Sequence, residues 1–307
     1  MTTLAVAEGT AAVDWSVWTT DARLVVTDPA ALDPALTLVQ HRLDEIDGAA
    51  SRFRRDSEVS LIAASDREVH RISPLLHDLV RVALEAAEQT GGVVDPTLGQ
   101  VLTHLGYGPA GVGSGSDRPE PSVRWRAQRR ATWRDVALDG DTVSLPPGTL
   151  LDLGATAKAV AADRCAEEVA QRFGCGALVS LGGDLSCAGT EPPEGWNVLV
   201  QDGDDEPASL IRLSGASAVA TSSTLRRRWQ HEGRQMHHLL DPMTLLPARP
   251  VWRTVTVAAE SCLRANTLST QAVVVGSTAP SVLAEAGVAA RLVAADGSVT
   301  RFGGWPG

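Results

Sequence analysis

Four short apolar runs, 177–181, 197–200, 209–213 and 216–220, follow one another with turn residues and no helical period between them. Parallel neighbours in a sheet need a long crossover, usually a helix, so successive strands without one point away from a doubly wound sheet. Strand-like composition recurs over 15–27, ending in Leu24-Val25-Val26-Thr27, and over 254–258. Asp139-Gly140-Asp141 predicts a hairpin turn and Asp296-Gly297 a closing hairpin. Helices are expected over 32–46, where Leu36, Val39, Leu43 and Ile46 share a face, and from the Ser73-Pro74 cap to the Gly91-Gly92 stop. Others are expected over 154–173, 263–275 and 280–286. Clustered helices and strands without βαβ alternation predict an α+β fold. The stretch 106–122, rich in Gly, Pro and Ser, is the candidate lobe boundary or flap.

At 307 residues the chain can hold one large core or two lobes sharing a site. Its net charge of −10 argues against a nucleic-acid partner. The clusters Arg126, Arg129, Arg130, Arg134 and Arg226, Arg227, Arg228 are expected to be solvated faces. Cys165, Cys175, Cys187 and Cys262 show no metal or redox spacing and read as small buried hydrophobes in a reducing compartment. Residues 1–13 carry no basic n-region, apolar h-region or lipid-acceptor cysteine, and no apolar run is long enough for a bilayer. A cytoplasmic location without a membrane anchor is the expectation. Lys158 is the only lysine among 27 Lys and Arg residues, and it falls inside a Gly-containing motif.

Several segments gather polar residues at element ends, and each has a plain structural reading beside the chemical one. In Ser51-Arg52-Phe53-Arg54-Arg55-Asp56-Ser57-Glu58, Asp56 or Ser57 can simply cap a helix, while Phe53 beside basic residues can stack on a planar ring. Gly91-Gly92-Val93-Val94-Asp95-Pro96-Thr97 is either a helix stop followed by a turn or a place where a ligand approaches the backbone. Leu151-Asp152-Leu153-Gly154-Ala155-Thr156-Ala157-Lys158 reads as a strand entering a helix, whose N-terminus suits an anion, without Walker spacing. Leu181-Gly182-Gly183-Asp184 is a tight turn that a hairpin explains as well as a ligand does. In His237-His238-Leu239-Leu240-Asp241-Pro242, strand geometry puts the two histidines on opposite sides. No zinc-type spacing surrounds them, and His238 is the candidate general base. Asn266 and Thr270, four apart on a helix, present two oxygens suited to a hard cation or form an ordinary polar face.

Taken in order, these segments resemble the ApbE family of FAD:protein FMN transferases over about residues 15–276, in an actinobacterial-like, divergent subgroup. The shared pieces are S-R-F-x-x-D-S-E, G-G-x-x-D-P-T-x-G, L-D-L-G-x-x-A-K, L-G-G-D, T-S-x and H-H-x-x-D-P-x-T, followed by the Asn266–Thr270 pair. The resemblance implies an ApbE-like, T-fold-related mixed sheet with helices, two lobes around a flavin-binding cleft, with 277–307 completing the same domain. It implies FAD as substrate, contacted by Trp18, Phe53, Val93, Val94, Asp95, Asp152, Lys158 and Leu240. Mg2+ would be held by the Ala155 carbonyl, Asn266 and Thr270, and His238 would activate a Ser or Thr hydroxyl of an acceptor protein, with Lys158 as a second positive contact. FMN would pass to that hydroxyl and AMP would leave. An FAD pyrophosphatase and a non-catalytic FAD-binding protein are the alternatives. This chain has Asn266 where the family usually has Asp, which implies weaker metal binding rather than none. Ser223, Leu245 and Ala159 each replace a usual Gly.

Overall fold

The computed structural model describes residues 2–4, 9–108, 111–112, 130–203 and 206–306. The chain divides into one unit of Met1–Ile46, Gly154–Leu225 and Ala248–Gly307, and another of Asp47–Leu153 and Arg226–Pro247. Most of the 106–122 loop, with Arg126 and Arg129, lies outside the described residues.

The first unit is built on an eight-stranded sheet whose spatial order follows the chain. The strands are β1 (Ala11–Val17), β2 (Thr20–Val26), β3 (Ala177–Leu181), β4 (Asp184–Ala188), β5 (Ser217–Ser223), β6 (Trp252–Ala259), β7 (Ala289–Ala294) and β8 (Val299–Phe302). Every neighbouring pair is antiparallel, and the α+β expectation holds. The stretch 15–27 is a correction: it contains a hairpin, not a single strand. Val17 pairs with Thr20 across a two-residue turn in which Trp18 and Thr19 take φ of 50° and 62°. Positive φ at both central positions suits the right-handed twist of a hairpin, but Trp and Thr do not announce such a turn.

Alternation along the strands sorts this sheet into two faces. Val25, Leu178, Leu185 and Val219 pack with Trp196, Val198, Ile211, Leu213 and Trp305. Trp196–Val200 and Ser209–Leu213 belong to a separate three-stranded sheet with Thr2–Leu4. On the other face of the eight-stranded sheet lie α2 (Ala157–Phe173) and α3 (Cys262–Val275), which α4 (Ala279–Ala286) follows in the chain, and α1 (Leu32–Ala50) is joined to α2. Helix α2 packs on β3 and β4, and α3 on β5 and β6. Arg42 of α1 grips Glu168 of α2 through two hydrogen bonds of 2.8 Å. The helix expected from residue 154 starts at Ala157, because residues 154–156 form a turn, and residues 151–153 are not a strand. All four cysteines are buried and unpaired. Burial pushes the Cys165 thiol up to about 12.

The second unit carries helices Glu58–Ala63, Pro74–Gln89 and Gly99–His104, and a three-stranded sheet of Val69–Arg71, Ala137–Asp139 and Thr142–Ser144. Hairpins Arg228–His231 with Arg234–His237 and Leu240–Asp241 with Leu246–Pro247 complete it. Ser57 and Ser73 cap their helices by accepting from Ser60 N and Leu76 N, the bland reading of Ser57. Leu98, Leu102, Tyr107, Trp229, Met236 and Leu240 form a compact apolar cluster.

Candidate active site

In the first unit, the turn Gly182-Gly183 sets Asp184 at the start of β4, on the helix-facing side, where it is 0% exposed. The turn admits only small residues. A Cβ on Gly183 would lie 2.8 Å from the Thr221 carbonyl, and Gly182 sits at φ 67°. Lys158, in the first turn of α2, forms an ion pair with Asp184 and donates to the Leu181 carbonyl at 3.1 Å. Burying a carboxylate without such a partner is costly. From α3, Asn266 Nδ2 donates to Asp184 Oδ1 at 2.7 Å, and Thr270 Oγ1 donates to Asn266 Oδ1 at 3.2 Å. Asn266 and Thr270 therefore share one helix face, as their spacing requires, and both are buried. Asp163 of α2 fixes the start of α3 by accepting from Cys262 N, Leu263 N and Ser186 Oγ. Burial nevertheless raises its carboxyl above the ordinary range, against the pull of these donors.

The hydroxyls around Thr270 are one proton short. Ser269 donates to the Asn266 carbonyl and Thr270 to Asn266 Oδ1, while Ser222 lies 2.8 Å from Ser269 Oγ and 3.0 Å from Thr270 Oγ1. Ser222 has a single proton for its two neighbours, so in one of these contacts lone pair faces lone pair. A cation taking Asn266 Oδ1 and Thr270 Oγ1 lets the Thr270 proton turn to Ser222, and every contact is then satisfied. Among the described residues there is no group of three or more His, Cys, Asp and Glu that would hold a thiolate- or imidazole-bound metal. The donor set is oxygen only, which fits a hard cation such as Mg2+ that completes its shell with water and phosphate. Ala155 lies in the turn before α2, and Trp18 in the β1–β2 turn.

In the second unit the candidate residues gather around Arg52. Its side chain is buried, with Nε 2.8 Å from Asp152 Oδ2 and Nη1 donating to the Tyr107 carbonyl at 2.7 Å. The guanidinium lies 4.3 Å from the Phe53 ring centroid and 4.7 Å from that of Tyr107, within cation–π range. Tyr107 stacks on Trp229 at 5.0 Å, meets Phe53 edge-on at 5.5 Å and lies 6.3 Å from the His238 ring. Phe53 remains 46% exposed. Of the adjacent histidines, His237 is buried and His238 half-buried. Leu240 is 4% exposed and packs in the apolar cluster that includes Tyr107 and Trp229.

Asp95 accepts from Thr97 N at 2.9 Å and from the Thr97 hydroxyl at 2.6 Å, and pairs with Arg130 at 3.2 Å. Arg130 is therefore not part of a merely solvated face. Asp152 N donates to the Pro96 carbonyl at 2.8 Å, which ties the two acidic motifs together. Val94 is buried and donates its N–H to Thr90 Oγ1 at 3.1 Å, while Val93 is half-buried. Arg52, Tyr107, Trp229, Arg130 and Asp184 were not among the candidate ligands read from sequence. The available signals were weak: Tyr107 is the only tyrosine in the chain, and Asp184 closes a Gly-Gly turn after the mostly apolar run Ala177–Leu181.

Residues 15–294 match the family described as ApbE. The FAD:protein FMN transferase of Treponema pallidum is 29% identical over 269 residues, covering 80% of this chain and 72% of that protein. That of Vibrio cholerae is 26% identical over 259 residues, covering 81% and 76%. Among solved structures, the apo flavinyl transferase ApbE of Pseudomonas stutzeri gives a TM-score of 0.81 at 23% identity, covering 95% of this chain and 94% of that one. The ApbE protein of Thermotoga maritima gives 0.80 at 26% identity, covering 95% and 96%. A family match over most of its length, carried by the same fold, makes this chain a member of the ApbE family.

Proposed function

We propose that this chain transfers FMN from FAD to a Ser or Thr hydroxyl of an acceptor protein, with release of AMP. The observation that carries this reading is the buried oxygen pair Asn266–Thr270 beside the Lys158–Asp184 ion pair. It has the donors for metal-assisted phosphoryl transfer, in a chain whose relatives are named for FMN transfer. Asn266 Oδ1, Thr270 Oγ1 and the Ala155 carbonyl would hold a Mg2+, which would supply neutralising charge for phosphoryl oxygens.

The remaining chemistry belongs to the protein. An imidazole nitrogen of His238 takes the proton of the acceptor hydroxyl as its oxygen bonds to the FMN-side phosphorus and the bond to AMP breaks. Lys158 offsets the charge of Asp184, so an incoming pyrophosphate does not meet an unbalanced carboxylate. Phe53 offers an aromatic face to a planar ring. Asp95 and Asp152, held by Arg130 and Arg52, offer acceptors to ligand N–H groups, with Val93 and Val94 preceding Asp95 in the chain.

No helix among the described residues is long and apolar enough to cross a membrane. A cytoplasmic setting, with a flavin-carrying reductase domain as acceptor, belongs to this reading and is supported by four buried, unpaired cysteines. The test incubates the protein with FAD, Mg2+ and such a domain, then reads flavin fluorescence on the denatured acceptor band. Metal-dependent label on that band is expected. Free FMN and AMP without label would make the chain a pyrophosphatase, and FAD intact in every lane would leave it a binding protein.

A further inference from the structure

Asn266 offers the candidate cation an amide, and an amide is a less reliable oxygen donor than a carboxylate. Its two ends differ: Oδ1 accepts, whereas Nδ2 carries two protons and repels a cation. Turned over, the same side chain closes the site it is meant to form. What decides its orientation is the partner at the far end.

That partner is Asp184. A carboxylate paired with Lys158 accepts and does not donate, so the end of Asn266 that faces Asp184 Oδ1 at 2.7 Å is Nδ2. Oδ1 is thereby directed to Thr270, 3.2 Å away. Asp184 is itself placed without freedom. It is fully buried, held in register opposite Leu181 and Ala220, and stands behind a turn with no room for side chains. The same contact bears on why position 266 is an amide. An Asp there would set a second carboxylate against Asp184, with one lysine between them.

We propose that Asp184 is a positioning residue that makes Asn266 a competent metal ligand by fixing its amide with the oxygen toward Thr270. The assignment rests on the metal site of the proposed function, and it concerns binding rather than the chemical step. Lys158 then has a structural part in the same device, because its ion pair holds the Asp184 side chain in place.

The test uses the full-length protein without FAD and follows Mn2+ binding by loss of the free-ion electron paramagnetic resonance signal. In D184N the new side chain can present its own Nδ2 to position 266, so the Asn266 amide is free to turn over. The expected result is Mn2+ affinity lowered by about tenfold or more, the scale on which outer-shell partners act. In the double variant D184N/N266D both ends of residue 266 are oxygen, orientation no longer matters, and affinity returns toward the wild-type value. An added carboxylate by itself raises affinity by the same factor in either background, so the proposal requires N266D to raise Mn2+ affinity by a larger factor in D184N than in the wild type.

Equal affinity of D184N and wild type, or failure of the double variant to recover, overturns the proposal while leaving the metal site in place. Wild-type protein that takes up no Mn2+ removes the metal site and the proposal together. Should D184N not fold by circular dichroism, N266D decides. Its two facing carboxylates are expected to lower the melting temperature of the metal-free protein, and Mn2+ is expected to raise it by more than in wild type. Melting equal to wild type without metal overturns the proposal.

Discussion

At the scale of single residues, the second unit turns on Arg52. A guanidinium that is buried, paired with Asp152 and wedged against two rings is costly to remove, because the carboxylate left behind has lost its cation. Arg52→Gln is expected to destabilise the protein by about 1.5–3 kcal/mol, the range for hydrogen bonds to charged groups. Urea unfolding checks this, and a loss within the roughly 0.5 kcal/mol typical of surface changes would show that the pair is not structural. For the chemistry, His238→Ala is expected to abolish acceptor labelling while FAD binding, read by fluorescence quenching, survives. Labelling at the wild-type rate would remove His238 from the reaction. The two residues also mark how far sequence reasoning reaches. His238 could be singled out as a candidate because Asp241-Pro242 follows it closely in a motif, and the labelling experiment decides its role. Arg52 could not, since nothing local shows that it pairs with Asp152, a partner supplied by folding and not by spacing. The same holds for Lys158 and Asp184.

At the scale of elements, local signals were the legible ones. Ser73-Pro74 opened a helix as expected, Gly174 closed α2 at φ 64°, and Gly140 made the predicted hairpin at φ 54°. Each signal acts within one turn of its own residue, which is why it shows in the sequence. The β1–β2 turn and the late start of α2 were hidden because neither Trp18-Thr19 nor residues 154–156 carry the residue types that announce a turn of their kind. The placing of α3 by Asp163 is another long-range device. Its acceptor oxygens serve two N–H groups at the start of the helix that carries Asn266 and Thr270. Asp163→Ala should cost about 1–3 kcal/mol, the price of buried donors left without an acceptor. Because burial raises this carboxyl, the native chain holds the proton more tightly than the unfolded chain does. The stability tied to Asp163 is then fullest below about pH 4, near the unfolded carboxyl value, and falls as pH rises through the folded one. The wild-type advantage over Asp163→Ala should accordingly be wider at low than at neutral pH in urea titrations. An advantage that grows toward neutrality would mean that the donors outweigh burial.

At the scale of the whole molecule, electrostatics makes a prediction that no single contact does. The chain carries a net charge of −10, and FAD brings a negatively charged pyrophosphate. Among the described residues, the cations that touch the candidate ligands are paired: Lys158 with Asp184, Arg52 with Asp152 and Arg130 with Asp95. The long-range field should therefore repel FAD, and it reaches further as salt falls, with a Debye length of about 30 Å at 0.01 M against about 10 Å at 0.1 M. FAD association measured by stopped-flow fluorescence without divalent cations is expected to accelerate with added salt, whereas dissociation, set by short-range contacts, should change little. Added Mg2+ should flatten the dependence by neutralising the pyrophosphate before it arrives. A rate that falls with salt would reverse the inference. It would require a basic approach surface that outweighs the net charge, and the exposed Arg226 and Arg228 would be the first residues to neutralise.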